Sequence, residues 1–219
     1  MPNMDVTPIV TYGEVLTDRS TVTATARELE SRGYRVVAGI NGDFYNVNTG
    51  LPIGLVVSEG ELRSSDGGYY AIGFRADGTA AIGKPGVKVS ARLGYMDAEG
   101  YGEEISRQLT AVNKARVSEG GTYLYTYDFN SKHTTGNTEA GVDVLCTIQE
   151  GRLSIGETMT AIVERVEETS SATEMRPGQI VLSANLKSDP YHVEALRRIP
   201  VGTVITLEAS AASEEWNDV

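Results

Sequence analysis

The chain of 219 residues is 40% hydrophobic and 22% charged, the composition of a folded globular protein rather than a disordered or membrane chain. Lys and Arg number 19 against 30 Asp and Glu, a net charge of −11, which repels a nucleic-acid backbone over most of the surface. A small phosphorylated molecule held by a local Arg or Lys pocket stays open. At this length the chain reads as one unit, residues 1–219, since domains commonly run about 100 to 200 residues. No stretch approaches the roughly 20 apolar residues of a membrane helix. The opening Met1-Pro-Asn-Met4 lacks the basic and apolar regions of a signal peptide, so either the protein is cytoplasmic or the sequence begins after a removed leader. Cys146 is the only cysteine. It lies in an apolar run, Val142 to Ile148, and reads as a small core residue rather than a nucleophile.

In chain order, Asp18 to Arg32 predicts a helix with Ser20 or Thr21 as N-cap, Val22, Ala26 and Leu29 on one face, and Gly33 as the stop. Arg35 to Ile40 is short, apolar and β-branched, and predicts a strand that stops in the polar turn Asn41-Gly-Asp43. Leu55 to Leu62 predicts a hairpin around Glu59-Gly60, and Ala71 to Ile82 another around Asp77-Gly78. Gly86 to Leu93 predicts a strand and Gly94 to Glu104 an acidic, Gly-rich loop. Ile105, Leu109 and Val112 recur at helical spacing, yet Leu109 to Val117 reads equally as a strand.

Thr122-Tyr-Leu-Tyr-Thr-Tyr-Asp128 alternates as a strand, with Phe129 to Ala140 a polar loop after it. Strands follow at Val142 to Ile148, Met159 to Val166 and Ile180 to Asn185. Asp189-Pro190 opens a short helix through Val193 and Leu196, and Val201 to Ala209 closes the series as a strand. Many hairpins and two or three short helices predict an α+β fold dominated by largely antiparallel sheet.

Gly78-Thr-Ala-Ala-Ile-Gly-Lys84 matches most of a phosphate-binding P-loop, but Pro85 stands where the magnesium ligand belongs and Pro85-Gly86 forbids the helix that must follow. The two histidines, His133 and His192, have no metal-ligand spacing. His133 sits in a hydroxyl-rich loop, where functional residues concentrate. Tyr123, Tyr125 and Tyr127 share one strand face, either as core or as a platform for a sugar ring. Asn41-Gly-Asp43, closed by Phe44 and Tyr45, is either a tight turn or one wall of a polar site.

The order of Ala38-Gly-Ile-Asn-Gly-Asp-Phe-Tyr45, Pro52-Ile-Gly54, Val112-Asn-Lys-Ala-Arg116, Leu124-Tyr-Thr126 and Thr134-Thr-Gly-Asn-Thr-Glu139 resembles the phosphodiester glycosidase family. Its members include the lysosomal uncovering enzyme and many bacterial envelope proteins. Asn113 and Arg116 match the family's Asn-x-x-Arg, Tyr125 and Thr126 its Tyr-Thr strand end, and Thr135 with Glu139 the loop that follows. The family's turn usually reads Asn-Gly-Gly-Phe-Phe, so Asp43 and Tyr45 are departures. The Pro-Arg-Thr and Asn-Leu-Asp-Gly-Gly-Gly-Ser segments of the family's second half are missing, which predicts that this is the N-terminal part of a larger domain whose partner is its own C-terminal half.

The resemblance implies removal of an N-acetylglucosamine-like sugar from a sugar 1-phosphodiester by a secreted or cell-envelope hydrolase, with no metal or cofactor called for. Such cleavage needs a carboxylate at the anomeric carbon, and a phosphate leaving group shifts the demand from an acid toward a cation. Asp43 or Glu139 would supply the carboxylate. Asn41, Gly42, Tyr45, Asn113, Tyr125, Thr135 and His133 would bind substrate, and Arg116 would hold the phosphate. With part of the carboxylate set missing, little hydrolysis is expected of these residues alone. The competing reading is an envelope module that binds a glycan or another protein without chemistry.

Overall fold

The computed structural model describes residues 6–96, 102–217 and 219. Among the described residues the protein is mostly β, with two α-helices. The first, α1 (Val22–Ser31), starts where Thr21 Oγ1 accepts the amide of Ala24 at 3.1 Å, an N-cap bond that satisfies one of the helix's free donors. Only Leu29 of this helix is buried.

Two small hairpins follow. In β1 (Val56–Ser58) and β2 (Glu61–Ser64) the turn residues Glu59 and Gly60 have φ of 55° and 73°, the left-handed pair that suits right-twisted strands. In β3 (Ala71–Phe74) and β4 (Ala80–Gly83), Gly73 and Gly83 let the sheet lie against Trp216.

Eight further strands build the main sheet: β5 (Lys88–Met96), β6 (Gly102–Gln108), β7 (Ala111–Val112), β8 (Thr122–Thr126), β9 (Gly141–Glu150), β10 (Thr158–Thr169), β11 (Gln179–Asn185) and β12 (Val204–Ser210). Their spatial order is β6-β5-β12-β10-β9-β11-β8-β7, antiparallel throughout except for the β7–β8 pair. The two ends of this order are one stretch of chain. Leu109 donates its amide to Val89 of β5 at 2.8 Å, and the next residue, Thr110, donates to Thr122 of β8 at 2.7 Å. The sheet therefore curls until residues 102–112 edge both of its sides. Register shifts in the β9–β10 pairing, at Thr160/Ala161 and Val163/Arg165, add the local twist such a curl needs.

Strand alternation then sorts the side chains. Val142, Val144, Cys146, Ile180, Leu182, Ile205 and Leu207 form the main core with Val193 and Leu196 of the second helix, α2 (Pro190–Arg197). Tyr123, Tyr125, Leu145 and Val181 point to the other face and make a second cluster with Leu16, Phe129 and Met175. Cys146 is fully buried, its thiol pushed up to about 12 by desolvation, as a core residue should be.

Three expectations change. Residues 35–40 form no strand: Val37 is 64% and Ile40 90% exposed, and a β-branched run without a neighbour to complete its hydrogen bonds gains nothing from extending. Ile105, Leu109 and Val112 form no helix: β6 and β7 take residues 102–108 and 111–112 onto the open edges of β5 and β8, and of the alternative strand over 109–117 only Ala111–Val112 pairs. The loop expected over 94–104 is shortened from both ends by β5 and β6, its centre lying outside the described residues.

Candidate functional site

The β7–β8 connection begins at Asn113, which is 1% exposed and has a φ of 51°, a left-handed backbone that Asn tolerates better than most residues. Its Nδ2 donates to Arg63 O and to Thr126 Oγ1, both at 2.8 Å, and its Oδ1 accepts from Thr126 N at 2.9 Å. Both of its side-chain donors and its oxygen are used to hold the connection against β2 and β8.

Arg116 crosses under the sheet with 2% of its side chain exposed. Nη1 donates to Ser183 Oγ at 2.8 Å and to Ala184 O at 3.3 Å, while Nη2 donates to Glu139 O. Asp143 of β9 lies 3.6 Å away as its ion partner and accepts from Ser183 Oγ at 2.5 Å and Thr173 Oγ1 at 2.6 Å. Burial pushes the Asp143 carboxyl up from its ordinary value, against the lowering pull of those hydroxyls and of Arg116. Gly141 makes room for this crossing, since an added Cβ would overlap Arg116 Nη1 and sit 2.6 Å from Ala184 O.

Tyr125 is fully buried, and its hydroxyl lies 3.0 Å from Lys114 O and 3.2 Å from Asn137 Oδ1; burial raises its pKa well above the usual phenol value. Asn137 Nδ2 donates on to Ser183 Oγ at 3.2 Å. Thr135, 2% exposed, pairs through its hydroxyl and its amide with Thr173.

Lys114 runs the other way. Its ammonium donates to the carbonyls of Pro52, Ile53 and Gly54 at 2.6, 3.1 and 3.1 Å. Burial lowers its pKa to about 8, with Asp43 and Asp66 opposing. The amide of Gly54 donates to Asp43 Oδ2 at 2.8 Å and that of Phe44 to Asp43 Oδ1 at 2.6 Å. Asp43 thus closes a hairpin-like loop that also carries the Tyr45–Pro52 bridge.

Asn41, Gly42, Asp43 and Tyr45 are all exposed. Glu139 is exposed as well, its Oε2 accepting from Ser118 Oγ at 2.9 Å and Asn185 Nδ2 at 2.6 Å. Those bonds, with Lys187 nearby, hold its carboxyl below the ordinary range. His133 stacks flat on Tyr127, centroids 3.9 Å apart at 3°, with Nδ1 3.0 Å from Tyr127 O.

One hydrogen-bonded path therefore runs from Asp43 through Gly54, Lys114, Tyr125, Asn137 and Ser183 to Arg116 and Glu139. His133 lies outside it. Lys114, Asn137, Asp143 and Ser183 carried no signal in the sequence beyond strand or loop positions, and only Lys114 and Asn137 fell within segments already singled out. Two cavities of about 140 Å³ and 160 Å³ lie elsewhere, one lined by Tyr12, Arg32, Tyr34 and Arg63, the other by Asp66, Lys88 and Thr110. No predicted site residue lines either.

Comparison of this chain with family models, with curated proteins and with solved structures finds no match.

Proposed function

We propose that this protein acts on sugars joined through phosphate, as a phosphodiester glycosidase-like protein that removes an N-acetylglucosamine-like sugar from a sugar 1-phosphodiester. The observation that carries the reading is the path from Asp43 to Glu139, which draws together the five segments of the resemblance although they are far apart in the chain. In this reading Asn41, Asp43 and Tyr45 meet the sugar, and the ionised Glu139 stabilises or attacks the anomeric carbon. The C1–O bond breaks, its electron pair leaves with the phosphate, and water supplies the hydroxyl that replaces it. Arg116, buried and bonded to protein groups, positions Glu139 through its main chain. Lys187, exposed beside Glu139, is a cation that would face the phosphate.

The test is hydrolysis of an N-acetylglucosamine 1-phosphodiester by the full-length protein, since little turnover is expected of these residues alone. Glu139→Gln should lower turnover roughly a hundredfold, the scale of one group acting on the reacting atoms, and Asn41→Ala should weaken it too. Unchanged rates in both variants would remove these residues from the site.

A second reading, glycan binding without chemistry, has its own support. Among the described residues the carboxyls raised by burial are Glu61 and Asp143; the first pairs with Arg63 at 2.9 Å and the second is 1% exposed. Both carboxyls are engaged within the protein. Saturable binding of the phosphodiester with no product would favour this reading.

A further inference from the structure

An ammonium group has three donors and no acceptor, and Lys114 meets three successive carbonyl oxygens, those of Pro52, Ile53 and Gly54. These oxygens belong to the closing end of the 43–54 loop. Its opening end is Asp43, whose carboxylate takes the amides of Phe44 and Gly54. Between the two ends the loop bonds to itself, Asn46 N to Leu51 O at 2.8 Å and Ile53 N to Phe44 O at 3.0 Å. Little of it is buried: Phe44 is 81% and Val47 67% exposed. Leu51 packs on the second cluster, Gly50 is buried against Thr17, and Arg19 Nη1 donates to Val47 O at 2.7 Å, but with so little apolar burial elsewhere the placement of the loop leans on its polar ties.

We propose that Lys114 is the built-in cation of a carbonyl-lined site and that, by filling it, it positions the Asn41–Gly54 segment against the β7–β8 connection. Pro52, Ile53 and Gly54 provide the oxygens, and Asp43 and Asp66 supply negative charge around them. The lysine is a positioning residue: its donors are spent on the carbonyls, so it orients Asn41, Asp43 and Tyr45 without meeting a ligand itself. The value of this positioning for catalysis rests on the reading above; the fixing of the loop does not.

Shortening the lysine empties the site without removing its oxygens. In Lys114→Ala, amide exchange of residues 41–54, followed by mass spectrometry, should speed up by roughly tenfold or more, as loss of charge-assisted hydrogen bonds implies. Methylammonium or ammonium should then slow it again, whereas tetramethylammonium, which has no N–H, should not. Lys114→Met, which keeps an apolar stem, should show the same local acceleration without rescue, while β9 and β11 stay protected in both variants.

Unchanged exchange over 41–54, or equal effects of ammonium and tetramethylammonium on Lys114→Ala, would overturn the assignment. Loss of protection across β9 and β11 in both variants would overturn it as well, since the lysine would then support the whole fold. Because the readout is exchange, an absence of hydrolysis by the full-length protein would defeat the proposed reaction and leave this test intact.

Discussion

At Arg116 the sequence and the structure assign different work to the same side chain. The family resemblance implies that its planar guanidinium holds a phosphate, but its contacts are Ser183, Ala184, Glu139 and Asp143. Removing one member of a buried charge pair strands the other in a poor solvent. Arg116→Met should therefore lower unfolding stability by roughly 3–5 kcal/mol in urea titration. Asp143→Ala should do similar damage, and the double variant should cost less than the sum. If Arg116→Met instead keeps full stability and loses only phosphodiester binding, the arginine meets the ligand after all. Glu139 behaves in the opposite way: its side chain is exposed and its main chain receives Arg116, so Glu139→Gln should leave the urea midpoint essentially unchanged, as for other surface changes.

The elements divide by how local their causes are. The hairpins at Glu59-Gly60 and Asp77-Gly78 and the helix opened by Asp189-Pro190 were legible because turn and cap chemistry sits in adjacent residues. Arg35 to Ile40 misled because a β-branched run records a preference for pairing but not whether a partner strand exists. The path through Lys114 was hidden for another reason: a lysine's sequence neighbours do not say which carbonyls its long stem will reach. That lysine also gives the β7–β8 connection a measurable pH dependence. Burial lowers Lys114 from 10.5 to about 8 in the folded chain. Between those values the unfolded chain binds the extra proton, so burying the ammonium that ties the loop carries a stability cost that is absent above 10.5, grows as pH falls and is complete below 8. The difference in unfolding free energy between the parent and Lys114→Met should move in the parent's favour from pH 8 to pH 10. A flat difference would show an ordinary, solvated lysine.

Over the whole molecule, stability is distributed unevenly between a curled sheet and the segment laid on it. Val142, Val144, Ile180, Leu182, Ile205 and Leu207 close on Leu196 of α2, and all seven are 0–1% exposed. Truncating that central contact, Leu196→Ala, removes apolar burial and leaves a cavity, and should cost about 2–5 kcal/mol. Residues 34–49, by contrast, are almost entirely exposed and contribute no strand beyond the isolated bridge at Tyr45. The candidate site spans this contrast, with Glu139 anchored to the sheet through Arg116 and Asn41 carried on the outer segment. Native-state amide exchange should accordingly show β9 and β11 opening only with global unfolding and residues 34–42 opening at far lower free energy. Leu196→Ala should then speed exchange in β9 and β11 while leaving 34–42 unchanged, because those residues already exchange without unfolding the sheet. If 34–42 instead exchanges as slowly as β11, the outer segment shares the cooperative core, and Asn41 is held as firmly as Glu139.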